Sequence, residues 1–292
     1  MEHRGPGEDM SRLSPSDAAL EGFKLARKEP GAILVWSLFY FGGIVVMGLV
    51  MLMGLGPGFI KFVQHGGMES GDIDAYVEVL EHSWPAFMLI TLLAVYVISV
   101  VTAAIYRRVL RPQDGGIAYI RFGGDEIRLT LVNLILFSIG MLFLIFLTGF
   151  AAAVGGLLGV ISGLGLVCFM IWAGVRLLLA TAMTFAERRV AILDSWKLTE
   201  GQFWPLLGMT FLAIIFYLIV WLVFTIVSAG FVALAGGQTA MAHPTAMAPM
   251  VWFAVLVTLA VQLLLPVLQI VMIYSPLAEA YRELHDEPTP ML

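Results

Sequence analysis

The sequence predicts an all-α fold, a polytopic membrane bundle of six transmembrane helices with short interfacial helices at one face. Of its 292 residues 60% are apolar and only 13% are charged, whereas an ordinary soluble domain is about 45–50% apolar and about 25% charged. Six apolar runs reach the roughly 20 residues that a helix needs to cross a hydrocarbon layer about 30 Å thick. The basic residues are concentrated in every second connection between these runs.

The apolar runs define the predicted domain organisation. Helices are expected because backbone polar groups in lipid must be satisfied within the segment, and no run alternates with the period of a barrel strand. An N-terminal segment with an interfacial amphipathic helix (1–31) precedes the transmembrane domain (32–284) and a short tail (285–292). The six spans are Ala32–Gly54, Pro85–Tyr106, Leu129–Phe150, Gly156–Ala186, Phe203–Leu234 and Met250–Tyr274.

The distribution of Lys and Arg predicts the orientation, because these residues stay on the cytoplasmic side in short connections. Of the 16 basic residues, all but Lys61 and Arg176 lie in the N-terminal segment, in the connections after spans two and four, or after span six. Both termini are therefore predicted to be cytoplasmic. In the first outer connection, the helical spacing of apolar residues from Ile73 to Leu80 predicts a short helix lying on the outer surface.

Two similar hexapeptides precede spans one and five. Leu20–Leu25 and Leu193–Leu198 share the order apolar, acidic, small, aromatic, Lys, Leu. Ser14 followed by Pro15 predicts the start of the first interfacial helix. With a weaker third match at Ile117–Phe122, the pattern predicts three units, each an interfacial segment followed by a helical hairpin. The copies enter from the same face, which does not favour an inverted-repeat carrier.

Arg176 is the charged residue that lies inside a predicted span. All 21 acidic residues lie in connections, at span ends or in the tails, so no carboxylate is expected at its depth. Guanidinium groups bind phosphate through two parallel hydrogen bonds, which predicts a lipid or anion contact at Arg176, with Asn133 at a similar depth and Trp196 and Lys197 from the interfacial segment. A snorkelling or internally paired arginine and a transport path are the alternatives.

Gln262 and Gln269 are the polar residues of span six. They lie seven residues apart on one helix face, with Pro266 between them. Such side chains usually hydrogen-bond neighbouring helices. The alternative is a polar substrate path that they share with Arg176 and Asn133.

The sequence contains no recognisable catalytic or metal-binding motif. No two histidines have ligand spacing on one helix, and the single Cys168 is interpreted as a small buried apolar residue. Walker loops, dinucleotide fingerprints and Ser/His/Asp groupings are absent in suitable context. The carboxylates near one interface are typical of helix starts and topology markers rather than catalysts: Asp125, Glu126, Glu187 and Asp194. We therefore predict no cofactor, no metal and no nucleic-acid partner, since basic residues along membrane edges favour anionic lipid.

One stretch of the sequence resembles a known membrane module. Arg176–Glu187 followed by Asp194–Trp204, which reads DSWKLTEGQFW, resembles the approach to span five in the membrane domain of some bacterial glycerophosphodiester phosphodiesterases and in stand-alone YciC-like integral membrane proteins. The resemblance implies a bacterial inner-membrane module. The catalytic barrel of the phosphodiesterases is absent from this sequence.

These observations predict a non-enzymatic integral protein of the bacterial cytoplasmic membrane. We expect it to organise lipids or envelope components, or to serve as a scaffold for a membrane-protein partner, with anionic lipid in contact with Arg176. One alternative is a small-molecule or lipid transporter with a polar path through Arg176, Asn133, Gln262 and Gln269. Another is the membrane module of a lipid phosphodiester enzyme that lacks its catalytic domain.

Overall fold

A computed structural model describes residues 14–54, 73–237 and 249–285. Lys61, most of the first outer connection and the end of the tail lie outside the described residues. Within the described ranges all regular elements are helical, which confirms the predicted all-α bundle. The helices are α1 (Pro15–Ala19), α2 (Glu21–Lys28), α3 (Pro30–Gly54), α4 (Ile73–Leu110), α5 (Gly124–Val154), α6 (Gly156–Leu177), α7 (Ala180–Glu187), α8 (Ile192–Leu198), α9 (Phe203–Leu234) and α10 (Pro249–His285), with a 3₁₀ turn at Ile117–Tyr119.

In the part of the chain that the structure describes, six helical segments are long and apolar enough to cross a membrane: α3, α4 from Ser83 onward, α5, α6 with α7, α9 and α10. Their outward faces carry large apolar side chains. In the most apolar window of α9 only 6% of the residues are buried, and Leu218, Leu222 and Ile226 are among its exposed side chains. Soluble monomers rarely expose a continuous apolar surface of this size to water. The chain is therefore an integral membrane protein.

The predicted span boundaries differ most from the structure at α4. The prediction of a separate surface helix before span two is wrong, because α4 runs without interruption from Ile73 to Leu110. Two features of the sequence explain the continuity. No glycine lies between Ile73 and Trp84, and Pro85 removes only one backbone donor from the helix. The fifth span begins and ends at the predicted residues, Phe203 and Leu234.

Helix α10 lies at the centre of the bundle, in contact with α9, α4, α3 and α2. Val267 and Val271 of α10 meet Trp36 of α3 and Ile105 of α4 in one buried cluster. Around the other side, α4 packs on α5, α5 on α6, and α6 on α9. Successive contacts therefore link α4, α5, α6 and α9 around α10.

Span four lies at the periphery of this arrangement. Only 11% of its most apolar window is buried, and Cys168 of α6 is exposed. The prediction that Cys168 is buried is therefore wrong. The apolar character of its surroundings reflects lipid rather than protein.

The two matched hexapeptides form equivalent short helices. Their aromatic residues both contact an aromatic side chain of a span: Phe23 of α2 lies 5.3 Å from Phe216 of α9, and Trp196 of α8 lies 5.1 Å from Trp172 of α6, measured between ring centroids. The small residues at the preceding position, Gly22 and Ser195, are both buried. The shared pattern thus corresponds to a shared way of lying against the bundle.

The third, weaker match differs from the other two. Ile117–Tyr119 forms a 3₁₀ turn in which Ala118 and Tyr119 have φ of +51° and +60°. Glycine pairs on both sides of Ile117–Phe122 favour a tight turn over a helix. Trp36 holds this turn, since its Nε1 donates a hydrogen bond of 2.7 Å to the carbonyl of Ala118. Of the three predicted interfacial segments, two are therefore short helices and the third is a 3₁₀ turn.

Candidate functional site

The site begins at a break in the fourth span. Helix α6 ends at Leu177 and α7 begins at Ala180, although neither glycine nor proline lies between them. The carbonyl oxygen of Arg176 instead accepts hydrogen bonds from two hydroxyls of the α8 region, Ser195 Oγ at 2.9 Å and Thr199 Oγ1 at 3.2 Å. These bonds fix α8 against the break and place the Arg176 side chain beside it.

Two tryptophan rings flank the guanidinium of Arg176. Its Cζ lies 5.8 Å from the ring centroid of Trp172 and 5.9 Å from that of Trp196. The rings meet edge to face, with an interplanar angle of 86°. Each such cation–π contact stabilises the cation by about 0.5–1 kcal/mol at an exposed site. The rings hold the guanidinium in place and leave its hydrogen-bonding edge free for other partners.

That edge is incompletely satisfied. Arg176 Nη1 makes a long hydrogen bond of 3.4 Å to the carbonyl of Trp196. Arg176 Nε is buried and has no hydrogen-bond partner among the residues that the structure describes. An unsatisfied donor on a charged group is costly to bury. The guanidinium therefore keeps hydrogen-bonding capacity that the described residues do not use.

The nearest acidic residues in the sequence are engaged elsewhere. Arg189 forms ion pairs of 2.6 Å with both Glu187 and Asp194. The hydrogen bond that Arg189 donates to Asp194, together with the charge of Glu187, raises the pKa of Arg189 above its ordinary value. In the described ranges no carboxylate lies within ion-pair distance of Arg176, so its positive charge is not neutralised by the protein.

A second cation lies next to this site in the sequence. Lys197 follows Trp196 on α8 and its side chain is exposed. The indole rings of Trp172 and Trp196 are also partly exposed, each at 37%. The structure therefore brings Arg176 and Trp196 together, and Lys197 is the exposed residue that follows Trp196 on α8.

Asn133 belongs to a different environment. Its amide Nδ2 donates a hydrogen bond of 2.8 Å to Ser99 Oγ on α4, and Asn133 lines an apolar cavity whose wall does not include Arg176. Gln262 and Gln269 are absent from that wall as well, and both are exposed on α10. The four polar groups of the predicted transport path therefore do not line one shared cavity.

A second polar cluster connects α4, α5 and α7. The carboxylate of Glu126 pairs with Arg107 Nη2 at 2.6 Å, and both side chains are almost fully buried. Arg111 pairs with Asp125 at 3.4 Å and donates a hydrogen bond of 3.0 Å to the carbonyl of Ala186. Because these groups satisfy one another, the cluster joins α4, α5 and α7. Asp125 and Glu126 act here as structural partners of arginine.

Sequence reasoning missed Trp172 and the Arg107–Glu126 pair for different reasons. Trp172 lies four residues before Arg176 on the same helix, a spacing that places two side chains on one face, so this signal was present in the sequence. The ion pair joins residues nineteen positions apart on different helices. Only the packing of α4 against α5 brings them together.

Within the described ranges, no group of three or more His, Cys, Asp or Glu side chains is arranged to hold a metal ion. Comparison with known proteins finds no matching family model, no similar curated protein and no similar solved structure.

Proposed function

We propose that this integral membrane protein is a non-enzymatic, lipid-contacting protein that binds the phosphate of an anionic lipid at Arg176. The observation that carries the proposal is the Arg176 guanidinium, which pairs with no carboxylate among the described residues and makes only one long hydrogen bond, of 3.4 Å, to the carbonyl of Trp196. Trp172 and Trp196 hold the charged group, and Lys197 adds a second, exposed cation. A lipid phosphate supplies the acceptor that the described protein groups do not.

The chemistry of the two partners is complementary. A guanidinium presents its N–H donors in a planar fork that matches phosphate oxygens. Tryptophan rings favour the boundary between hydrocarbon and headgroups, which is where a lipid phosphate lies. The proposed contact requires the Arg176 end of α6 and the adjacent α8 to lie at this boundary. An exposed lysine next to the site favours lipids of net negative charge.

The same proposal includes an orientation and a location. The positive-inside distribution of the sequence supports a cytoplasmic position for α1, α2, α8 and both termini, and hence a headgroup site in the cytoplasmic leaflet. The resemblance to the membrane domain of bacterial phosphodiesterases supports a bacterial inner membrane. In this role the protein organises lipids or recruits a membrane-protein partner through its interfacial helices.

The two alternative functions receive less support from the site. A transporter with a polar path through Arg176, Asn133, Gln262 and Gln269 requires these groups to share a cavity, and they do not line one together. A membrane module that serves a separate lipid phosphodiester enzyme stays compatible with the Arg176 site. It differs from our proposal only in the partner.

Native mass spectrometry of the protein released from mixed phosphatidylglycerol and phosphatidylcholine vesicles tests the proposal. We expect the wild type to retain phosphatidylglycerol. Hydrogen bonds to charged groups contribute about 1.5–3 kcal/mol, so Arg176→Ala should reduce retention by about tenfold or more. Arg176→Lys should give an intermediate result, because it keeps the charge and loses the fork.

Arg282→Ala provides the matched control. It removes one positive charge from the exposed end of α10, where Arg282 pairs with Glu279, and leaves Arg176 in place. We expect it to retain phosphatidylglycerol like the wild type. Equal retention by the wild type and Arg176→Ala would overturn the proposal. An equal loss of phosphatidylglycerol in Arg176→Ala and Arg282→Ala would also overturn it, because the loss would then depend only on the net charge of the protein.

A further inference from the structure

The Arg176 site does not use the cavity that Asn133 lines, which is partly open, since Phe137 and Phe169 of its wall are 46% and 50% exposed. The cavity has a volume of about 530 Å³ and lies between α4, α5, α6 and α10, with residues at the α6–α7 break completing its wall. Ligand pockets for small molecules typically enclose about 300–1,000 Å³. The cavity is therefore large enough for a ligand.

The cavity exists because small residues face it where larger ones are common in spans. Gly140 of α5 and Gly174 of α6 both line it, as does Ala173. A Cβ atom added at Gly140 or Gly174 would meet no atom within 4 Å. These glycines therefore leave space open and are not required there for close helix packing.

The polar groups of the wall lie toward one end. Asn133, Thr181 and Tyr274 contribute an amide and two hydroxyls. From Asn133 to Phe143 the α5 wall extends about 15 Å, at 1.5 Å per residue, and beyond Asn133 its lining residues are apolar. The cavity thus combines one hydrogen-bonding end with a long apolar remainder.

The hydrogen-bonding end is uncharged and has capacity to spare. Among the described residues, no Asp, Glu, Lys, Arg or His lines the cavity, so a charged head group would be buried there without an opposite charge, which is strongly unfavourable. The amide of Asn133 gives one hydrogen bond to Ser99, and a primary amide carries a second N–H and a carbonyl oxygen. An uncharged hydroxyl or carbonyl matches these groups.

We propose that this cavity binds an uncharged long-chain lipid, such as a long-chain alcohol or a monoacylglycerol, with its hydroxyl at Asn133 and its hydrocarbon chain between Gly140 and Gly174. The ligand enters from the surrounding lipid, and the site is independent of the anionic headgroup site at Arg176. The protein then has two lipid sites of different chemistry.

Photolabelling with a diazirine-bearing hexadecanol tests this site in the purified protein in nanodiscs. In the wild type, labels should map to the peptides that contain residues 133–143 and 169–178, and excess unlabelled hexadecanol should compete. Gly140→Leu and Gly174→Leu fill the cavity and should reduce the competable labelling about tenfold, a change of about 1.4 kcal/mol in binding.

Matched controls lie on the same two helices. Gly149 of α5 and Gly165 of α6 also have open space at the Cβ position and lie outside the cavity wall, so their leucine variants should label like the wild type. Arg176→Ala should also label normally, which separates this site from the proposed headgroup site. Asn133→Ala should lower competable labelling by hexadecanol and leave an ionised hexadecanoate probe weakly bound.

Three results would overturn the proposal. The first is labelling that excess unlabelled hexadecanol does not reduce. The second is equal competable labelling in the cavity-filling and the control leucine variants. The third is a hexadecanoate probe that labels and competes as well as hexadecanol. Size-exclusion profiles establish that each variant is folded. Ala173→Leu, which also fills the cavity, replaces Gly140→Leu or Gly174→Leu if either variant fails this criterion.

Discussion

Glu126 Oε1 lies 2.6 Å from Arg107 Nη2, and the side chains are only 1% and 3% exposed. This ion pair joins the start of α5 to the end of α4. Arg107 also donates to the carbonyl of Tyr119 and lies 5.5 Å from the ring centroid of Phe185. One buried arginine therefore connects two spans, the 3₁₀ turn and α7.

Removal of the carboxylate should destabilise the protein strongly. Breaking a buried pair by removing one partner costs about 3–5 kcal/mol, because the remaining charge is buried without compensation. We expect this loss for Glu126→Ala in unfolding by SDS titration from mixed micelles. Lys24→Ala breaks the exposed Lys24–Glu21 pair and should change the free energy of unfolding by at most about 1 kcal/mol.

The double variant Arg107→Met/Glu126→Leu refines this prediction. Replacing both members of a buried pair by apolar residues is often neutral or stabilising. The double variant should therefore recover much of the stability that Glu126→Ala loses. Similar small effects for Glu126→Ala and Lys24→Ala would show that the pair contributes little.

The contact between α2 and α10 provides a second prediction. A Cβ atom at Gly22 would lie 2.9 Å from the Cα of Met272, so Gly22→Ala must displace backbone. We expect a loss of about 1–3 kcal/mol, the usual cost of overpacking, measured in the same SDS titration.

Gly31 provides the control for this variant. An added Cβ there meets no atom within 4 Å, and alanine favours a helix over glycine by about 0.5–1 kcal/mol. Gly31→Ala should therefore leave stability unchanged or raise it. If Gly22→Ala is as stable as Gly31→Ala, α2 does not lie against α10 as described.

The hydroxyls at the α6–α7 break give a third prediction. Ser195→Ala with Thr199→Val removes both side-chain donors to the carbonyl of Arg176, at about 0.5–1.5 kcal/mol for each hydrogen bond. Because α8 also carries Trp196, the double variant should retain less phosphatidylglycerol than wild type in native mass spectrometry, and more than Arg176→Ala. If the double variant retains as much phosphatidylglycerol as the wild type, the hydrogen bonds at the α6–α7 break do not contribute to lipid binding at Arg176.

The membrane orientation is testable by cysteine labelling. In a Cys168→Ser background, we introduce Gly115→Cys in the connection after α4 and, separately, His243→Cys in the predicted outer connection. A membrane-impermeant maleimide added outside intact cells should label only the cysteine at position 243. Labelling at position 115 from outside would reverse the orientation and move the proposed headgroup site to the other leaflet.

The sequence predicts the helices well because lipid imposes a simple rule. A spanning segment must be helical, long and apolar, so Phe203–Leu234 is recognised from its composition alone. Whether a helix continues beyond the membrane depends on weaker signals. The uninterrupted α4 and the extension of α10 to His285 therefore differ from the predicted spans.

The sequence predicts only some residues of the candidate site. Arg176 stands out because a charge inside a span is rare, and Trp196 lies in a segment of interfacial character. The sequence predicts Asn133 beside Arg176 from its depth in the membrane alone. Depth does not specify the helix face, and in the structure Asn133 bonds Ser99 in the cavity wall. Side-chain partners across helices require the packing itself.

A high-resolution map of the protein in phosphatidylglycerol nanodiscs tests the central claim most directly. The account predicts a headgroup phosphate within hydrogen-bonding distance of the Arg176 guanidinium, beside the rings of Trp172 and Trp196. A map in which that space holds only hydrocarbon chains, or in which a protein carboxylate pairs with Arg176, would contradict it.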